Sequence, residues 1–108
     1  MLETTNKSDL FEEYSHLYNT KQYDEIIQKF HKEKTSPVTN PKILNILGAT
    51  YQQLNDFAAA KEYYTKSSEI DPGSAEVFYN LANMQYAEGA YQEAFNNYNM
   101  ALRNNFTS

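Results

Sequence analysis

Apolar side chains recur along this chain every three or four residues in six separate stretches. In the clearest stretch, residues 41–54, Leu44, Leu47 and Tyr51 share one helical face. This spacing is typical of amphipathic helices that pack against one another. The pattern predicts six helices, at about residues 7–20, 23–34, 41–54, 57–70, 75–87 and 91–104.

Turn-forming and capping residues separate the predicted helices. Pro37 and Pro41 prevent a helix from continuing through residues 35–40, so Asn40 is expected to cap the third helix and Pro41 to begin it. The other predicted boundary residues are Ser8 or Asp9 before the first helix, Asn55 and Asp56 after the third, Asp71, Pro72 and Gly73 after the fourth, Ser74 before the fifth and Gly89 after it.

The pattern repeats every 34 residues. Tyr64 aligns with Phe30 and Tyr98, and similar alignments hold for Phe57, Ala60 and Leu44. A fixed period of this length is typical of repeat proteins, in which each unit stacks on its neighbours. The sequence therefore predicts three repeats, at about residues 7–40, 41–74 and 75–108.

The second repeat resembles the tetratricopeptide repeat through Leu47, Gly48, Tyr51, Ala60, Tyr64 and Pro72. The resemblance implies an all-α fold of three helix-turn-helix repeats, stacked as a short right-handed α-solenoid. Its six helices lack a clear C-terminal capping helix. Residues 1–108 would form a single domain, consistent with the N-terminal part of a longer protein. Glu13 and Tyr14 depart from the family pattern in the first repeat, and Phe106 occupies the proline position of the third.

Gly48 lies inside a predicted helix, where glycine is about 1 kcal/mol less favourable than alanine. Close approach of the paired helix would explain it. Ala82 occupies the same position in the third repeat.

The composition of the chain limits the classes of partner and the cellular location that we expect. The chain has 9 basic and 14 acidic residues and a net charge of −5, which argues against nucleic acid as a partner. No apolar run is long enough to span a membrane, and no secretory signal is visible, so a cytoplasmic location without membrane association is expected. Cysteine is absent.

No arrangement of residues indicates catalysis. His16 and His31 lack the spacing of zinc ligands, and the chain has no Gly-rich phosphate loop. Carboxylates such as Glu12, Glu13, Glu62 and Glu69 have no feature that would place them in a pocket and shift their pKa. We therefore expect a non-enzymatic domain without a cofactor or metal.

The family resemblance implies that the first helix of each pair lines a concave groove. The expected groove residues are Phe11, Ser15 and Tyr18 in the first repeat, Lys42, Asn45, Ile46, Ala49 and Gln52 in the second, and Glu76, Tyr79, Asn80, Asn83 and Tyr86 in the third. This set is rich in aromatic and amide groups, which suit the main chain of an extended peptide.

The groove positions also argue against one known function of the family. Co-chaperones bind acidic chaperone C-termini through a carboxylate clamp of lysine, asparagine and arginine. The corresponding positions here are Phe11, Ser15, Ile46, Glu76 and Asn80, which cannot form that clamp.

Apolar residues at the end of the third repeat are expected to form an interface. Phe95, Leu102 and Phe106 are candidates for a face that a further helix would cover. Three explanations are open: a longer protein, self-association through the C-terminal helix, or a partner that supplies the helix.

The leading hypothesis is a protein-interaction scaffold that binds an extended peptide or partner segment in its groove. One alternative is an N-terminal accessory domain of a larger enzyme, such as a glycosyl or sulfuryl transferase, which recruits substrate. The other is a structural module for homo-oligomerisation.

Overall fold

The computed structural model describes residues 7–32 and 40–107, which form six α-helices and the turns between them. Their bounds are Lys7–Asn19 (α1), Tyr23–Lys32 (α2), Pro41–Gln53 (α3), Phe57–Ile70 (α4), Ala75–Glu88 (α5) and Tyr91–Thr107 (α6). They form three consecutive helical hairpins, and the described residues contain no strand. The prediction of an all-α fold with six helices is confirmed.

The predicted caps hold the central helices. The side chain of Asn40 accepts hydrogen bonds from the backbone nitrogens of Lys42 and Ile43, at 2.9 and 3.4 Å, and Pro41 begins α3. Ser74 caps α5 in the same way. These bonds satisfy backbone donors that have no partner within the first helical turn.

Two predicted boundaries need comment. Helix α1 runs from Lys7, the first residue that the structure describes, and the side chains of the predicted caps Ser8 and Asp9 lie outside the description. The predicted connection around Pro37 and the predicted end of the second helix, residues 33–34, lie outside the described residues.

The turn inside each hairpin has the same geometry. Lys21, Asn55 and Gly89 follow one another at 34-residue spacing, and their φ angles are 61°, 64° and 89°. In each turn the next residue's backbone nitrogen donates to a carbonyl five residues earlier, at 2.8–2.9 Å. This is the Schellman arrangement, which ends a helix through one left-handed residue.

The buried core lies mainly between repeats. One cluster joins the first repeat to α3, and the other joins α4 to α5. The first contains Tyr14, Ile26, Phe30, Ile43, Leu44 and Leu47, and the second contains Ala60, Tyr64, Val77, Leu81 and Met84. A chain whose units bury their apolar faces against their neighbours is an α-solenoid.

Side-chain size at one repeat position controls how closely paired helices pack. Gly48 and Ala82 are small, and α3–α4 and α5–α6 pack closely. Tyr14 holds the same position in the first repeat, is fully buried and separates α1 from α2. A Cβ atom added at Gly48 would lie 2.5 Å from Cδ1 of Tyr64, so the expected close approach is confirmed.

Candidate functional site on the concave face

The first helices of the three hairpins enclose a cavity of about 630 Å³ on the concave face. We call this cavity the groove. The predicted residues that line it are Phe11, Ser15, Tyr18, Lys42, Asn45, Ile46, Ala49, Gln52, Glu76 and Asn80. They come together because residues three, four and seven apart share one face of a helix. Helix α3 forms the middle of the groove, with α1 on one side and α5 on the other.

Amide side chains connect the helices across the groove. Asn80 of α5 donates from its amide nitrogen to the amide oxygen of Asn45 on α3, at 3.3 Å. An asparagine amide has two donor hydrogens and two acceptor positions, so one bond leaves capacity on both side chains. The pair can therefore hold the helices in register and still bind a main-chain amide.

The base of the groove includes a side chain from the convex layer. Tyr64 lies on α4, yet its hydroxyl donates to the amide oxygen of Gln52 on α3, at 2.8 Å. The ring reaches α3 because Gly48 has no side chain in its way. Nearby, the Ser67 hydroxyl donates to the carbonyl of Pro41, at 2.7 Å. Helix α4 thereby fixes both ends of α3.

The phenols of the groove are neutral donors at physiological pH. Burial raises the pKa of Tyr64 well above its usual range, and the nearby Tyr18 and Glu76 raise it further. Burial also raises the pKa of Tyr18, although a hydrogen bond with Gln53 lowers it. Desolvation disfavours the charged phenolate, so both hydroxyls keep their protons.

Charge is sparse in the groove. Lys42 is the single cation among the described residues that line it, and its ammonium group lies 5.5 Å from the centre of the Phe11 ring. Two carboxylates, Asp71 and Glu76, lie on the side formed by the α4–α5 turn and the start of α5. Asp71 also accepts a hydrogen bond from the Gly73 nitrogen, at 3.3 Å.

A second, more open cavity lies on the outer side of α1 and α2. It has a volume of about 530 Å³ and is lined by Glu12, Glu13, His16, Leu17 and Lys29. Lys29 and Glu13 form an ion pair at 2.6 Å. Within residues 7–32 and 40–107, no group of three His, Asp or Glu side chains is arranged to hold a metal ion. Every helix in the same ranges falls short of the length and apolar character that a membrane span requires.

Comparisons with known proteins agree with this architecture. The tetratricopeptide-repeat family model matches residues 41–74. The fold is similar to the crystal structure of MamA, with a TM-score of 0.83 and 19% sequence identity. Residues 41–74 therefore form a tetratricopeptide repeat. The structural match covers 98% of this chain and 62% of the MamA chain. No curated protein matches it by sequence.

Three residues expected in the tetratricopeptide groove lie elsewhere. Tyr79 packs against Tyr98, with ring centres 5.9 Å apart, and Tyr86 packs against Tyr91 at 5.3 Å. Asn83 accepts a hydrogen bond from the Tyr98 hydroxyl. The cause is position in the array. The groove forms between the first helices of successive hairpins, and among the described residues α5 has such a helix, α3, on one side only.

Sequence reasoning did not identify several lining residues. Tyr64, Ser67, Asp71 and Ser74 belong to α4 and the turn after it, and Asn19, Pro41 and Gln53 lie at the ends of α1 and α3. The family pattern assigns groove residues to first helices alone. Gly48 was the available signal, since a glycine facing Tyr64 lets that ring reach the concave side.

Proposed function

We propose that this tetratricopeptide protein is a scaffold that binds an extended peptide segment in its groove. The observation that carries the proposal is that amide side chains from three helices line the groove, with Asn80 hydrogen-bonded to Asn45. An amide side chain matches a main-chain peptide group, because each offers a donor and an acceptor. Recognition through the main chain requires an extended ligand.

The charges of the groove exclude one class of peptide from the proposal. A clamp for a peptide carboxylate needs several cations that converge on one point. Lys42 already lies against the Phe11 ring, while Glu76 and Asp71 would repel an acidic terminus. The preferred peptide is therefore internal or basic in character, and the groove does not select acidic C-termini.

Two other functions are alternatives to a peptide-binding scaffold. An accessory domain of a larger enzyme would use the same groove to recruit a substrate segment, so groove binding does not distinguish it from a scaffold. A structural module for homo-oligomerisation would instead use the end of the array. The absence of catalysis in this domain stays a proposal, supported by its repeat architecture.

Binding can be tested with peptides selected from a random display library against the whole chain. Asn45→Ala combined with Asn80→Ala should weaken the selected peptides about 10- to 100-fold, because two hydrogen bonds of about 1 kcal/mol each are lost. Calorimetry would measure the change, and circular dichroism would confirm that helicity is retained.

A matched control uses the same chemistry outside the groove. Asn96 is exposed on α6, and Asn96→Ala should leave peptide affinity unchanged. If the selected peptides bind the groove double variant as tightly as the original chain, the groove is not the binding site.

A further inference from the structure

Helices α5 and α6 share a large exposed apolar surface, which we call the C-terminal face. Its side chains are more than half exposed except for Tyr98, which is half-buried. The face consists of Tyr79, Tyr86, Tyr91, Phe95, Tyr98 and Leu102. Surfaces of this kind on soluble proteins mark interaction sites. The side chain of Phe106, expected here as well, lies outside the described part of the structure.

The preceding repeats show that equivalent positions are packing positions. Phe30 and Tyr64 correspond to Tyr98, and both are buried in a core cluster that includes the following repeat. Lys61 corresponds to Phe95, and its ammonium group contacts Glu88 of α5, at 3.4 Å. The C-terminal face thus has the geometry of a repeat interface, with phenylalanine where the second repeat uses an ion pair.

The described part of α1 in a second copy is a poor match for this face. Leu47 and Leu81 are buried against the preceding repeat, whereas the corresponding residue of α1 is the exposed Glu13. His16 is exposed at the position of the buried Thr50. Head-to-tail stacking would bury the Glu13–Lys29 ion pair against apolar side chains, and the desolvation of both charges is unfavourable. The described part of the first repeat is therefore not complementary to the C-terminal face.

The C-terminal face is complementary to itself. Tyr91, Phe95, Tyr98 and Leu102 follow one another at spacings of four, three and four residues, the seam of a coiled coil. No residue of this seam is charged, and α6 carries one acid and one base, Glu93 and Arg103. Two copies of α6 can therefore approach despite the net charge of −5 on each chain.

We propose that two copies of this chain pair through their C-terminal faces, with the α6 helices antiparallel about a two-fold axis near Tyr98 and Asn99. This register places Phe95 opposite Leu102 of the second copy, and the two-fold repeats the contact in reverse. Tyr79 and Tyr86 extend the contact from α5. Glu76 lies at the Leu102 end of the face, so the two Glu76 carboxylates are kept at opposite ends of the pair.

Sedimentation of the whole chain at tens of micromolar tests the pairing. The original chain should be a dimer, and Phe95→Glu with Leu102→Glu should be a helical monomer because both contacts of the seam become charged. Gln92→Glu with Asn96→Glu adds the same charge on an exposed part of α6 outside the seam and should remain dimeric. A monomeric original chain, or a dimer that survives the Phe95 and Leu102 changes, would overturn the proposal.

Cross-linking tests the register, because the chain contains no cysteine. Asn99→Cys lies next to the two-fold axis and should form a disulfide-linked dimer under mild oxidation. Gln92→Cys lies two turns earlier on the same flank, where the two cysteines would be about 20 Å apart, beyond disulfide reach. Equal cross-linking at both positions would refute the antiparallel register. Asn45→Ala with Asn80→Ala should not affect either experiment, so failure here is separable from failure of groove binding.

Discussion

The contact between Gly48 and Tyr64 links helix packing to the groove at the scale of single residues. Glycine inside α3 allows the Tyr64 ring to lie against the helix backbone. The ring then reaches Gln52 with its hydroxyl, and it is buried with Val77 and Leu81 of α5. One missing side chain therefore serves the packing of α3 on α4, the base of the groove and the interface with the next repeat.

Two effects of opposite sign compete in Gly48→Ala. Alanine favours the helical backbone by about 1 kcal/mol. Its Cβ, however, would lie within 2.6 Å of two ring atoms of Tyr64, a buried side chain whose hydroxyl is held by Gln52. Overpacking of this kind costs about 1–3 kcal/mol, so net destabilisation is expected, and more for Gly48→Leu.

Urea unfolding would measure this change in stability. Tyr64→Leu removes the ring and should reduce the effect of Gly48→Ala in a double-mutant cycle. A Gly48→Ala protein as stable as the original chain would contradict the close contact.

At the scale of helices, the turn inside each hairpin is the most uniform part of the protein. Asn55 and Gly89 are residues that tolerate a left-handed backbone, and the sequence predicted turns at both. Lys21 adopts the same conformation without such a preference. The repeat geometry therefore overrides the local preference of lysine in the first hairpin.

Lys21→Gly should stabilise the protein by a few tenths of a kcal/mol to about 1 kcal/mol. It relieves a left-handed conformation that costs a non-glycine residue about 1–2 kcal/mol, and the greater freedom of glycine in the unfolded chain offsets part of the gain.

Gly89→Ala is the matched change in the third hairpin. Apart from its chain neighbours, no described atom would lie within 4 Å of the added Cβ, so any destabilisation arises from the backbone conformation. The midpoint of thermal unfolding should rise for Lys21→Gly and fall for Gly89→Ala. Shifts of both midpoints in the same direction would contradict the shared turn geometry.

The 34-residue period predicted the helices well because helical spacing and capping are local properties. Residues of α3 such as Asn45 and Gln52 share one helical face for the same reason, and both line the groove. Tyr64 was missed because its place in the groove depends on how α3 and α4 pack. Tyr79 and Tyr86 do not line the groove and pack against α6 instead, an arrangement that depends on how α5 and α6 pack and that no local pattern encodes.

At the scale of the whole molecule, the three repeats differ in how much of their surface is covered. The second repeat has a repeat on each side, and its α3 contributes three of the most deeply buried residues, Ile43, Leu44 and Leu47. The first repeat has the large Tyr14 between its helices and a polar outer side. The third has closely packed helices but an exposed outer face. Stability in such an array is the sum of units and their interfaces, so it should be unequal along the chain.

Hydrogen exchange on the Phe95→Glu and Leu102→Glu variant should show this gradient, since dimerisation would otherwise protect α6. Amides of α3 and α4 should exchange most slowly, those of α5 and α6 at an intermediate rate, and those of α1 and α2 fastest, because the first hairpin packs least closely.

Ile43→Ala removes a fully buried contact between α3 and the first repeat, and it should accelerate exchange in α1 and α2 more than in α5 and α6. Val77→Ala is the matched change one repeat later. It should accelerate exchange in α5 and α6 more than in α1 and α2, since Val77 packs in the cluster between α4 and α5. Uniform acceleration along the chain by both variants would mean that the array unfolds as one cooperative unit, contrary to this expectation.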